Sequence, residues 1–373
     1  MNQSDNQSEN KIPVTFAAID PYVESHIVKP TETLLKNKDM VEWGDMNSYP
    51  EYLLELYNSV PTLRSIVNGN VDFISGDDVI LNIGKPLNGK NETGRDLVRS
   101  LAQDKEIYGG FALQVIRAMD GNVAEVHYID MRFLRANKEC NVFYYSEDWG
   151  KFRRGEVIKY PAYMKDLDWS SLDEAQRKAH ASSILYVKDT HTQTYPAPMY
   201  AASVKSCEIE RCIDDYHLNN INNSFSSSLI FNFNNGVPDD KIKEEIEKNM
   251  NEKFSGHQNA GRIMLSWNQD KEHEVTITEP KVLNFGDKYT ALAKHSRQQI
   301  FTAFRANPNL FGIPTENLGF SSEEYESAFK LYNRTQIQPI QKQIVEAFEK
   351  IYGAGTMTIK PFSLEGVTED NVN

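Results

Sequence analysis

The stretch GDKYTALAKHSRQQIFTAFRANPNLFGIPTENLGFSSEEYESAFKLYNRTQIQPIQKQIVEAFEKIY, residues 286–352, decides the fold. From Asp287 to Ala306, apolar residues recur at Tyr289, Leu292, Ala293, Ile300 and Phe304, the three-or-four spacing of one helix face. Asn307-Pro308-Asn309 stops that run, because proline disfavours the α conformation in the residue before it and has no backbone N–H to donate. A loop from Asn309 to Gly319 follows, carrying Gly312, Pro314, Asn317 and Gly319. Ser321 or Ser322 then caps a second helix, with Glu324 and Glu326 early in it, where the helix dipole favours negative charge. This helix continues through Phe329, Leu331 and Tyr332 to Ile344, Phe348 and Ile351, and Pro339 is expected to kink or break it.

On the N-terminal side of this stretch lies another long helix, Tyr200 to Ser224, with Val204, Ile209, Ile213, Tyr216 and Ile221 along one side. The two helices bracket residues 225–285, a small mixed segment like an insertion at the tip of a hairpin. Its expected parts are a strand at Ser228–Phe233, a turn at Asn234-Asn235-Gly236, a helix at Asp239–Phe254, and strands at Gly261–Trp267 and His273–Ile277. The alternating charges from Asp239 to Lys248 read as a solvated amphipathic surface.

Further upstream, Trp43–Asn68 reads as a turn and a helix, with Asn47 or Ser48 as cap and Pro50 in the first turn. A second helix begins at Ser59-Val60-Pro61, and a strand follows at Val79–Ile83. Helix Thr93–Ile107 leads through Tyr108-Gly109-Gly110 into strands Phe111–Met119 and Val123–Ile129, joined by the hairpin signal Asp120-Gly121-Asn122. Strands are also expected at Arg132–Arg135, Val142–Tyr145, Glu156–Tyr160 and Ile184–Val187. With no repeated strand-helix-strand alternation, the expected class is α+β with antiparallel strands.

Composition narrows the function. The chain has 373 residues, 40% hydrophobic and 25% charged, enough for a large core and too apolar for disorder, apart from a loose polar arm at residues 1–12. No apolar run is long enough to span a bilayer and no leader pattern opens the chain, so the expected setting is a cytoplasm or a particle assembled in one. The formal net charge of −13 argues against tight, sequence-independent binding of phosphates, yet allows DNA to slide past. Cys140, Cys207 and Cys212 are an odd count and read as buried small hydrophobes rather than a disulfide framework.

Catalytic motifs are missing. Gly84-Lys85 and Gly89-Lys90 lack the frame of a phosphate loop, and no nucleophile elbow occurs. A metal-dependent hydrolase or nuclease would need Asp130, Asp189, Asp214 or His217 to converge in one pocket. Adjacent acids such as Asp214-Asp215 are more often a solvated face. No catalytic residue, cofactor or metal is expected. Lys294, Arg297 and Arg305, on the polar side of the opening helix, read either as surface charge or as a sparse set of contacts to a polyanion.

The order of these segments resembles a tailed-bacteriophage portal protein. The resemblance runs from about Trp43 to Leu364. It rests on the Asn47-Ser48-Tyr49-Pro50 opening, Tyr108-Gly109-Gly110-Phe111-Ala112-Leu113, the segment from Phe254 to Leu265, Asn307-Pro308-Asn309-Leu310-Phe311-Gly312, and Gly319 to Glu324. It implies a wing at 13–199, a stem from helices 200–224 and 286–306, and a clip at 225–285. A tunnel loop at 307–320, a return helix and final strand at 321–364 and an acidic tail at 365–373 complete it, with little or no helical crown. The resemblance further implies a homo-oligomeric, dodecameric ring at one capsid vertex, assembled in the host cytoplasm. Double-stranded DNA would be packaged and ejected through that ring. The implied partners are the terminase large subunit, a head-tail adaptor, and the major capsid or scaffold protein. Lys294, Arg297, Arg305, Asn307, Asn309 and Asn317 would face the channel. Asn234, Asn235, Lys241, Lys248 and His257 would lie on the clip's docking surface. A virion adaptor that does not pass DNA is the structural alternative.

Overall fold

The computed structural model describes residues 27–35, 39–150, 157–189, 193–222, 229–233, 239, 241–243, 245–246, 263–267, 285–312 and 322–363. Two short strands, β1 (Glu32–Leu35) and β2 (Met40–Trp43), precede helices α1 (Tyr49–Ser59) and α2 (Pro61–Ser75). Strand β3 (Asp78–Leu81) and helix α3 (Gly94–Tyr108) follow. Then come strands β4 (Gly110–Arg117), β5 (Val123–Ile129), β6 (Leu134–Ala136), β7 (Val142–Tyr145) and β8 (Ile158–Pro161), short helix α4 (Glu174–His180) and strand β9 (Ser182–Lys188). The remaining elements are α5 (Val204–Asn222), β10 (Leu229–Phe233), β11 (Ile263–Trp267), α6 (Phe285–Ala303), α7 (Ser322–Tyr332), α8 (Gln338–Tyr352) and β12 (Met357–Lys360).

The strands form an antiparallel sheet in the order β1-β2-β6-β7-β8, a second in the order β5-β4-β9, and an antiparallel pair β12-β3. Strands β10 and β11 pair in parallel, Leu229 opposite Ile263. The expected α+β class with antiparallel strands therefore holds. Strands β1 and β2 and helix α4 were not read from the sequence.

Helix α2 sits at the centre of the core. Leu63, Ile66, Val67 and Ile74 are fully buried, as are Leu97 and Val98 of α3, Ile300 and Phe304 of α6, and Ile344 and Phe348 of α8. Burial of side chains of this size is the main favourable term in folding.

The glycine pair after α3 has a steric reason. Thr93 and Asp96 form a reciprocal capping box at the start of the helix, and Gly109, at φ +89°, ends it. A Cβ on Gly109 would lie 2.2 Å from the Ala197 carbonyl oxygen, and one on Gly110 would lie 2.6 Å from that of Val187. Only glycine lets β4 enter the sheet this close to its neighbours.

Two expectations at the chain's decisive stretch are corrected. Helix α6 ends at Ala303 rather than Ala306, upstream of Pro308. Arg305 takes the left-handed conformation at φ +51°. Arg305 N–H donates to Thr302 and Ala306 N–H to Phe301, which together make a Schellman closure with arginine where glycine is usual. Pro339, in turn, does not break the second helix. Residues Asn333–Ile337 form a π-turn, in which Gln338 N–H donates to the Asn333 carbonyl five residues back. The wider turn places Pro339 in the first turn of α8, where its missing N–H is not needed, so the chain stays helical from Ser322 to Tyr352.

Candidate functional site

Helices α5 and α6 run side by side in opposite directions. Tyr200 stacks on Phe304 at the core end, with ring centroids 5.5 Å apart, and Tyr216 meets Tyr289 at the far end at 4.7 Å. At the core end Val204, Cys207, Ile300 and Phe304 are buried. At the far end Tyr216, Leu218 and Leu292 are exposed, so the pair leaves the body as a two-helix arm. Its sequence explains this, because α5 switches from apolar spacing to Asp214-Asp215-Tyr216-His217-Leu218 and α6 opens with Asp287-Lys288.

The candidate cations do not share one open face. Lys294 is exposed on the arm. Arg297 is exposed but turns into a cleft of about 460 Å³ that it lines with Pro61, Thr62, Ser65, Glu210, Ile213, Asp214 and Ala293. Glu210 accepts a 2.6 Å hydrogen bond from Thr62 Oγ1, while its other oxygen is buried without a hydrogen-bond partner among the described residues. Burial raises the Glu210 carboxyl above its usual range, and the Thr62 bond and the Arg297 charge oppose that rise. Arg297 is thus exposed, as expected for the polar side, and it also borders this cleft. The sequence signal for this cleft was Glu210 and Asp214, one helical turn apart on one face.

Arg305 lies on another cavity, of about 340 Å³, with Asn307, Ala328, Leu331, Tyr332, Thr335 and Gln336. The segment after it was expected to be an open loop, but its described part is docked on the core. Asn307 takes the extended conformation that precedes proline, and its side chain accepts the Asn309 N–H at 3.1 Å, capping a single 3₁₀ turn at Pro308–Phe311. Leu310 is buried, and Phe311 packs between Phe73, Phe301 and Tyr332. Asn307 and Asn309 are half-buried rather than open to solvent. Asn317 and the capping role of Ser321 lie outside the described residues. So do Asn234, Asn235, Lys248 and His257; Lys241 alone of the clip candidates is described, exposed in a short helical stretch.

The residues a hydrolase would need are each engaged in different contacts. Asp130 pairs with Arg132 at 2.8 Å, Asp189 accepts from Lys105 and Gln343, Asp214 lines the arm cleft, and His217 meets Tyr289 edge-on at 5.9 Å. Among the described residues no group of three or more His, Cys, Asp or Glu side chains is placed to hold a metal ion. None of the described helices is long and apolar enough to cross a membrane. Cys207 is buried as expected, but Cys212 is exposed.

One polar network was not foreseen. Glu106 of α3 is buried and accepts from Asn70 Nδ2 at 2.8 Å; Asn70 in turn accepts from Tyr332 OH at 2.8 Å. Burial raises the Glu106 carboxyl from 4.5 to about 7, against the pull of the Asn70 bond and the Lys105 charge. It joins α2, α3 and the end of α7, all distant in sequence.

The chain belongs to the phage portal protein family, whose model matches residues 87–367. Its fold is similar to a chain in the virion of a native gene transfer agent particle, with a TM-score of 0.51, 17% identity, and 85% of this chain and 84% of that one covered. It is also similar to a chain in the neck of an empty gene transfer agent particle computed with C6 symmetry, with a TM-score of 0.51, 16% identity and 86% of each chain covered. An uncharacterized protein of Rickettsia felis is 31% identical over 117 residues, which is 31% of this chain and 29% of that protein's length.

Proposed function

We propose that this protein forms the ring at one vertex of a capsid through which double-stranded DNA enters and leaves. The observation that carries the reading is the α5–α6 arm, whose apolar residues Tyr216, Leu218 and Leu292 are exposed in the single chain and need neighbours to cover them. The arm is the stem, the segment between its two helices is the clip, and the α+β body with α7, α8 and β12 is the wing. Membership of the portal family and the symmetric particle necks that hold similar folds support this arrangement.

Lys294 and residues 313–320 form the channel side, and the chain's net charge of −13 keeps the wall from gripping phosphates. The clip, including Lys241, docks the terminase during packaging and head-tail adaptors afterwards, and the wing meets the capsid or scaffold protein. The ring is dodecameric, assembles in the host cytoplasm and ends in the virion. Its role is mechanical, with no catalytic residue.

Electron micrographs of the purified protein test this reading. Rings with a central opening wide enough for duplex DNA are expected, and a monomer at every concentration, with or without scaffold, overturns it. Because Leu310 and Phe311 belong to the core, the loop test is deletion of residues 313–319 alone. Rings should still form and packaging should fall; normal packaging of full-length DNA would remove the loop from the channel.

A further inference from the structure

Resting on the ring reading, we infer that copies of this chain join head to tail through Met46, which inserts into the neighbouring copy's cavity beside the π-turn. The bend between β2 and α1 holds three left-handed residues, Gly44 at φ +79°, Met46 at +48° and Asn47 at +62°. Asparagine and glycine tolerate this conformation, but methionine does so only at a cost that a glycine there would avoid. The surroundings nevertheless enforce it. Buried Arg135 donates to Asn47 Oδ1 at 2.8 Å and to the Asn47 carbonyl at 2.9 Å, and its guanidinium lies over the Trp43 and Trp149 rings. Asn47 Oδ1 also accepts the Trp43 N–H at 3.0 Å. What this clamp presents to solvent is the Met46 side chain, 73% exposed, an adaptable apolar knob on a rigid mount.

The cavity at the root of the tunnel segment suits such a knob. Ala328, Leu331 and Tyr332 give it an apolar wall, Leu331 is 66% exposed, and Thr335 and Gln336 of the π-turn close the far side. Charges match across the joint: Asp45 stands exposed next to Met46, while Arg305 is the charged residue in the cavity lining and exposed Arg334 follows three residues after Leu331. The helices next to the two surfaces, α1 after Met46 and α7 in the cavity wall, meet α2 on different sides. Tyr57 of α1 bonds to Asn68 of α2, and Tyr332 bonds to Asn70; residues two apart on a helix point to opposite sides. A knob on one flank and a socket on the other make a heterologous contact, the kind that closes into a ring when the rotation permits.

Disulfide trapping tests the joint. In a background with exposed Cys212 replaced by serine, Met46→Cys combined with Leu331→Cys should give, under mild oxidation, a ladder of covalent oligomers reaching the ring size. Each single cysteine variant should stop at dimers. Rings in micrographs of the double variant without a ladder overturn the joint and leave the ring reading intact; no rings from the wild-type protein overturn both. Met46→Gly relieves the backbone, so the melting temperature of the dissociated chain should hold or rise while ring assembly weakens roughly tenfold. Unchanged assembly by Met46→Gly also overturns the joint.

Discussion

Helices α2 and α6 each carry apolar residues at helical spacing, yet one is enclosed along its length and the other for only half of it. Along α2, Leu63, Ile66, Val67, Val71 and Ile74 are all buried. Along α6, Ile300, Phe301 and Phe304 are buried while Leu292 is exposed. Periodicity reports which face of a helix is apolar, and says nothing about whether the same chain supplies the cover. In α2 the cover is α1, α3 and α8; in the outer half of α6 Leu292 is left exposed.

Substitutions on the two halves of α6 put this contrast at risk. Phe304→Ala empties a fully buried site that stacks on Tyr200, and should cost about 3–5 kcal/mol in chemical denaturation of the dissociated chain. Leu292→Asn, on the outer half, should change the same measurement by less than about 0.5 kcal/mol and show its effect in the ring fraction instead. Equal losses from the two would mean that the arm is covered within a single chain.

The next effect concerns the polar centre of the core. The folded Glu106 carboxyl titrates at about 7 and the unfolded one near 4.5. The stability this group contributes is therefore fully present below 4.5 and is lost as pH rises through 7. Glu106→Gln removes that loss while keeping an oxygen for Asn70. Denaturation at pH 8 should show the variant more stable by up to about 3 kcal/mol, with the gap closing towards pH 4.5. A gap independent of pH would place the proton elsewhere. Smallest is the cap at the root of the tunnel segment, where Asn307→Ala should cost about 1 kcal/mol in thermal denaturation.

Helix faces and tight turns were legible because they depend on neighbours in sequence. Helices α1, α2, α3 and α8, the glycine pair at 109–110 and the 120–122 hairpin were all read from the chain. Strand β2 was not, because Val41 pairs with Ala136 far along the chain and both flanks carry little alternation of their own. Arg135 reads as a surface residue until Asn47 and two tryptophans close over it. The end of α6 was misplaced by the usual rule that proline stops a helix, since a left-handed Arg305 had already done so. Of the candidate site, Lys241, Lys294, Arg297 and Arg305 were found exposed, whereas the cleft that Arg297 shares with Glu210 was visible only when α5 and α6 lie together.

The π-turn has a consequence for phase. It accommodates one more residue per turn than an α-helix, so it works as an angular offset between α7 and α8. Winding the same residues as an ordinary α-helix, without the wide turn, would rotate everything beyond 337 by about 100°. Ile340, Ile344 and Phe348 would then swing out of the core while Gln341 left the Phe73 and Ile74 carbonyls. One extra residue thus keeps two helices in step, each packing its own face on the same body.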